Sequence, residues 1–109
     1  MSVCAIITKQ DNKEWNSFCI PVATERFFNE SWKPIIDKLK LNWVSGFAID
    51  IDITNDDYPA VKNELEILKS WINKQPKISD LDFILSRINS LIDGLNSLFA
   101  SGKFTVFIG

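Results

Sequence analysis

Four aspartates form the part of this sequence that could do chemistry: Asp50, Asp52, Asp56 and Asp57. Asp50 and Asp52 are two residues apart, so on a β-strand their carboxylates would point to the same side. Residues 41–61 contain these four acids and no lysine or arginine, so the segment carries −4 while the rest of the chain sums to +2. Such an acidic segment could dock on a basic protein, hold a divalent cation, or be a solvated strand and turn.

A metal site is the most demanding of these three interpretations. Asp50-Ile51-Asp52 resembles the start of a calcium loop, but Thr54 stands where that loop has an acid or amide, and Asn55 where it has glycine. A solvated pair needs no ligand, because two carboxylates at strand spacing repel by only about 0.6 kcal/mol in water. If the pair does bind a cation, the alternative function is a divalent-metal-dependent enzyme that uses Asp50 and Asp52 as ligands.

The usual catalytic residues and motifs are missing from the sequence. It contains no histidine, and its two cysteines do not form a CxxC motif. It also lacks a G-x-G-x-x-G fingerprint, a P-loop and a nucleophile elbow. We therefore predict that the protein is not an enzyme, with no catalytic residues, no cofactor and no bound metal.

Composition predicts one globular domain, residues 1–109, with 46% hydrophobic and 24% charged residues. The net charge of −2 and the scattered bases argue against nucleic acid as a ligand. No apolar run is long enough to span a membrane, and the first residues lack the basic region of a secretory signal. We therefore expect a cytoplasmic protein in which Cys4 and Cys19 are buried, reduced thiols; a disulfide between them is the minor alternative.

The hydrophobic pattern predicts an α+β fold with an approximately four-stranded, mainly antiparallel sheet and three helices. The helices near 59–73 and 80–100 form an antiparallel pair on one face of that sheet, because few residues join them. The predicted strands are Ser2–Thr8, Glu14–Val22, Gly46–Ile53 and Lys103–Ile108. The predicted helices run from Thr24 to about Leu39, from about Pro59 to Asn73, and from Ser79 to about Ala100.

The third predicted strand carries the acids. From Phe47 to Ile53 apolar and polar residues alternate, which predicts one packed face and one wet face that includes Asp50 and Asp52. We expect this strand to be the central one, with Asp57 as the N-cap of the helix that follows.

Three local signals refine the other elements. Pro21 restricts the second strand to a sheet edge or to its own final residues. Pro34 lies inside the first helix, so we expect a kink near residues 30–33 or two short helices. Ser79 and Asp82 have the spacing of a capping box, which predicts that the Ser79 side chain caps the last helix.

The four tryptophans divide into two pairs. Helical spacing places Trp32 and Trp71 toward the core. Trp15 and Trp43 lie next to polar residues near strand starts, so we expect them to be available for an interface, where aromatic residues often anchor a partner.

Taken as a whole, the chain resembles the small immunity proteins that bacteria encode beside polymorphic or contact-dependent growth inhibition toxins. The similarity lies in its size, its start without a signal, and a Trp-rich α+β layout around Gly46–Asp52. The resemblance implies a cytoplasmic protein that binds one cognate toxin domain and blocks it. Many such toxins are nucleases with basic active sites, including RNases, and an acidic inhibitor would occupy the place of the phosphates.

The favoured hypothesis is thus an immunity protein that is monomeric when free and binds a basic toxin domain, but not nucleic acid or membrane. The residues predicted to contact the partner are Asp50, Asp52, Asp56, Asp57, Trp43 and Tyr58. Besides the metal enzyme, a structural subunit that pairs through an apolar sheet edge remains open as an alternative.

Overall fold

Across residues 2–10, 19–76 and 78–109, which the computed structural model describes, the chain forms a four-stranded antiparallel sheet. The strand order is β2-β1-β4-β3, so β2 and β3 are the two edges. The strands are β1 (Ser2–Gln10), β2 (Cys19–Thr24), β3 (Ile51–Thr54) and β4 (Phe104–Ile108). The predicted α+β class is confirmed, β1 lies inside the sheet, and the strand with Pro21 is an edge.

The helices follow in two groups. After β2 come α1 (Glu25–Phe27), a π-helical segment (Phe28–Trp32), α2 (Lys33–Leu39), α3 (Asn42–Ser45) and a 3₁₀ turn (Gly46–Ala48). After β3 come α4 (Tyr58–Asn73) and α5 (Ser79–Ser101). None of these helices combines the length and hydropathy needed to cross a membrane.

The first helical run shows the interruption expected from Pro34. Proline has no N–H to donate to the carbonyl of Glu30, so the regular α-helical ladder cannot continue there. The N–H of Lys33 donates instead to the carbonyl of Phe28, five residues back. The predicted kink is thus a π segment between two short α-helices, and Thr24 caps the first of them by accepting a hydrogen bond from the Phe27 N–H at 3.1 Å.

The core lies between one face of the sheet and the helices. α4 and α5 run antiparallel, since Tyr58 at the start of α4 bonds to Ile92 and Asn96 near the end of α5. Each fully buried aliphatic side chain contributes about 1.5–3 kcal/mol. The side chains that are wholly buried include Ala5, Ile53, Val61, Leu65, Leu68, Ile84, Ile88, Leu91, Leu95, Leu98, Val106 and Ile108.

The predicted central strand Gly46–Ile53 is wrong in both extent and position. Only its last part is extended, and β3 lies at the edge of the sheet. Leu41, Val44 and Phe47 recur every three residues and are all buried, so this part of the chain coils against the core. Ile49, which the alternation placed with Phe47, is 79% exposed.

The predicted capping box at Ser79 is also wrong. Ile78, in extended conformation, occupies the N-cap position and makes no side-chain hydrogen bond, while Ser79 is already helical. Asp57 does occupy the N-cap position of α4 but makes no capping hydrogen bond, because its carboxylate turns back toward β3.

Candidate interaction surface

The face of the sheet turned away from the core presents two rows of side chains across the four strands. The first row is Asp52, Phe107, Ile6 and Cys19, which are successive cross-strand partners from β3 to β2. The second row is Asp50, Gly109, Cys4 and Pro21, in which the backbones of Cys4 and Gly109 exchange hydrogen bonds of 3.1 and 3.2 Å. We call the surface formed by Asp50, Asp52, Phe107, Ile6, Cys4 and Cys19 the outer face.

Solvent reaches the apolar part of the outer face. Ile6 is 39% exposed, Cys19 is exposed, and Phe107 and Cys4 are half-buried. The residues that alternate with them, such as Ala5 and Val106, are fully buried. Large apolar side chains left accessible beside charges are typical of contact surfaces between proteins.

The acids lie along the β3 edge of this surface. Asp52 is exposed on β3, and Asp50 precedes the strand in the left-handed region, with φ of 79°. Aspartate tolerates that conformation better than most residues. The Asp50 carboxylate lies over Gly109, and a Cβ at residue 109 would displace that carboxylate from the second row.

Beyond β3, side-chain hydrogen bonds of Asn55 hold the turn that contains Asp56. The Asn55 amide donates to the carbonyls of Phe99 (3.1 Å) and Gly102 (2.7 Å), and its Oδ1 accepts from the Phe104 N–H at 2.9 Å. These bonds satisfy carbonyls at the end of α5 and fix the turn to β4. Asp56 is exposed on this fixed turn, past the end of the strand.

Asp57 differs from the other three aspartates because its carboxylate is used within the fold. Its Oδ2 accepts hydrogen bonds from the Thr54 N–H and hydroxyl, both at 3.1 Å, while its own N–H donates to the Thr54 carbonyl. Both backbone groups of Thr54 are therefore bonded to Asp57, at the end of a strand that lies at the edge of the sheet.

The acids of the outer face carry no ion pair with the cations that the structure describes. The only salt bridge among the residues that the structure describes joins Arg26 and Glu30, at 3.1 Å on the first helical run. Asp50, Asp52 and Asp56 are exposed to solvent.

Tyr58 is buried, so the structure corrects its expected place on the surface. It is 7% exposed, its ring packs against Phe99 at 5.0 Å, and its hydroxyl donates to Asn96 Oδ1 at 2.5 Å. Burial, with smaller contributions from the charges of Glu66 and Asp93, raises the pKa of Tyr58 to about 12.

Trp43 lies on the helix side of the sheet and is half-buried against the core. Its backbone N–H donates to both carboxylate oxygens of Glu64, at 2.8 and 3.1 Å, and the Val44 backbone N–H donates to one of them at 3.0 Å. Glu64 on α4 thus supplies an anionic cap to α3 from 21 residues away. Trp43 is therefore not adjacent to the outer face.

The other tryptophans have different environments. Trp32 is fully buried and stacks on Phe28 at 5.3 Å, as expected for a core residue. Trp71 is half-buried, with the Lys38 ammonium 5.5 Å from its ring centre. Trp15 lies outside the described residues.

The two thiols are not buried as predicted. Cys19 is exposed and Cys4 is half-buried, and neither is in a disulfide. Cys4 is opposite Pro21 and Cys19 is opposite Ile6, so the two cysteines are diagonal neighbours on adjacent strands and their thiols lie close together. Partial burial of the Cys19 thiol raises its pKa, and the neighbouring Cys4 raises it further by a smaller amount.

A second accessible surface lies between β2 and the first half of α5. It is a groove of about 530 Å³ that includes Pro21, Phe27, Phe83 and Arg87. Phe83 is 44% exposed and packs edge-on against Phe27, and the Arg87 guanidinium lies 4.8 Å from the Phe83 ring centre. The groove is lined by one cation, Arg87, and one acid, Asp80, so its charges balance, whereas the charged residues of the outer face are acids.

Ile6 and Phe107 are the residues of the outer face that sequence reasoning missed. Both lie in strands that are apolar at nearly every position, a pattern that predicts helices on both faces. To find them, one would need the cross-strand register that places Phe107 of β4 and Ile6 of β1 in one row with Asp52 of β3.

Among the described residues, no three histidine, cysteine, aspartate or glutamate side chains are arranged to hold a metal ion. Comparison of the chain with protein family models, curated proteins and solved structures found no match.

Proposed function

We propose that this chain is a cytoplasmic immunity protein that binds the basic domain of a cognate toxin, of the nuclease class, through the outer face. The observation that carries the proposal is the combination of Asp50 and Asp52, exposed and without ion pairs to described cations, with accessible Phe107 and Ile6 in the same two rows. Asp56 extends the acidic edge along the adjoining turn.

The two halves of the surface have separate physical roles. Phe107 and Ile6 supply apolar area that loses water when a partner covers it, which gives affinity. The aspartates attract a cationic surface before contact and penalise neutral or acidic competitors, which gives speed and specificity. A nuclease site that binds phosphates through lysine and arginine has the complementary charge.

We assign the apolar anchor to Phe107 instead of Trp43 or Tyr58. Tyr58 is enclosed between α4 and α5, and Trp43 is held by Glu64 on the helix side. Phe107 takes that role because it lies directly beside Asp52 on the neighbouring strand.

The test requires a candidate partner: a toxin encoded beside this chain whose C-terminal domain is basic, with that domain expressed alone. The wild-type chain should protect cells from that domain and bind it in calorimetry with an affinity that falls as salt rises. Replacing Asp50, Asp52 and Asp56 together by Asn should weaken binding about five- to tenfold, since three screened charges at about 0.3–0.5 kcal/mol each sum to about 1–1.5 kcal/mol. The salt dependence should become flatter as well.

Phe83→Ala is the matched control, because it alters an accessible apolar residue in the groove beside α5 instead of the outer face. It should leave affinity unchanged. If the triple variant binds like wild type, or if Phe83→Ala weakens binding more, the outer face is not the binding surface. Sedimentation of the free chain distinguishes the predicted monomer from a self-associating subunit.

A further inference from the structure

Two thiols lie side by side on the outer face. Cys19 is opposite Ile6 and Cys4 is opposite Pro21, so the two cysteines are diagonal neighbours on adjacent strands, on the same side of the sheet. We propose that Cys4 and Cys19 form a reversible disulfide by exchange with a low-molecular-mass disulfide such as oxidised glutathione. This inference does not depend on the proposed function.

The exchange proceeds in two steps. The thiolate of Cys19, the exposed cysteine, attacks one sulfur of the small disulfide, which releases one small thiol and leaves a mixed disulfide on Cys19. The thiolate of Cys4 then attacks Cys19 Sγ and displaces the second small thiol. The protein loses two electrons and two protons, and the small disulfide is reduced to two thiols.

The position of Cys4 favours the second step over a second adduct. The two side chains lie on the same side of adjacent strands, so Cys4 meets the mixed disulfide at the high effective concentration of an intramolecular reaction. Cys4 is also half-buried, which limits the approach of another molecule of the small disulfide.

Closing the bond requires a small shift of β2. Diagonal neighbours usually have Cα atoms about 7–8 Å apart, whereas a disulfide needs at most about 6.8 Å. β2 can move because it is an edge strand, paired on one side only. The register between β1 and β2 also slips between Val3 and Cys4, so the ladder is already irregular beside one of the thiols.

The experiment is to treat the folded, reduced chain with oxidised glutathione, quench with acid, alkylate the remaining thiols and measure intact and peptide masses. We expect a monomer lighter by two hydrogens, no alkylated cysteine, a linked peptide pair containing Cys4 and Cys19, and full reversal by dithiothreitol. Two glutathione adducts, a disulfide-linked dimer, or no reaction where the urea-unfolded chain does react would each overturn the proposal.

Single variants test the order of the two steps. Cys4→Ser should accumulate one glutathione on Cys19, because the resolving thiol is gone. Cys19→Ser should acquire glutathione on Cys4 at least about tenfold more slowly, since access limits thiol reactivity. Equal rates in the two variants would overturn the assignment of Cys19 as the first thiol to react; the wild-type mass measurement tests the bond itself in either case.

Discussion

On the face of the sheet that meets the helices, Ile53, Val106 and Ala5 are fully buried, whereas their neighbours Asp52, Phe107 and Ile6 lie on the outer face. The same strands therefore supply both sets. Because adjacent residues of a strand point to opposite sides, one register fixes the core and the accessible surface together. Side chains of the inner face account for stability, whereas those of the outer face are accessible to solvent to different degrees.

The largest expected difference between the two faces is on β3 itself. Ile53→Ala should lower the free energy of unfolding by about 2–5 kcal/mol, because it removes buried methyl groups and leaves a cavity. Asp52→Ala, one residue away on the outer face, should change it by less than about 0.5 kcal/mol. Urea unfolding followed by tryptophan fluorescence measures both, and similar costs for the two variants would show that Asp52 has a structural role.

A second difference concerns carboxylates. Glu64 accepts hydrogen bonds from the N–H groups of Trp43 and Val44, so Glu64→Ala should cost about 1–3 kcal/mol of unfolding free energy. Glu64→Gln should cost less, because its amide oxygen can still accept. Glu66 is exposed on the same helix and is the control: Glu66→Ala should be nearly neutral. A neutral Glu64→Ala would mean that this inward carboxylate is no more structural than those of the outer face.

Much of the fold could be predicted from periodicity. The buried stripes of α4 and α5 repeat every three or four residues, and Pro21 and Pro34 act locally, so these features follow from short stretches of sequence. Residues 46–50 were wrongly predicted to be part of a strand, because their alternation of apolar and polar residues also fits a coiled segment in which Val44 and Phe47 are buried.

The acidic edge was predictable only in part. Its charge is visible in composition, and three of the four aspartates are exposed. Asp57 and Tyr58 instead bond inside the fold. The contact of Asp57 with Thr54 is local and has the spacing of a turn motif, so the sequence could have revealed it. Tyr58 bonds to Asn96, 38 residues away, and no local pattern predicts such a contact.

Apart from the control variants, the smallest expected effect at neutral pH comes from the Tyr58 hydroxyl, and it distinguishes a core tyrosine from a surface anchor. Tyr58→Phe should cost about 0.5–1.5 kcal/mol of unfolding free energy, because it removes the one hydroxyl proton that Asn96 Oδ1 and the Ile92 carbonyl share as acceptors.

Alkaline pH gives the sharper measurement. The pKa of Tyr58 is raised to about 12 in the folded chain, above the value near 10 of an unfolded tyrosine. Folding therefore favours the neutral phenol, and its contribution to stability is fully present below about pH 10 and is lost as pH rises through about 12. Since Tyr58 is the only tyrosine in the sequence, the tyrosinate absorbance reports it alone. The midpoint should be near 12 when folded and near 10 in urea, and Tyr58→Phe should lose less stability across this window. A folded midpoint near 10 would instead place Tyr58 in solvent, where the sequence first placed it.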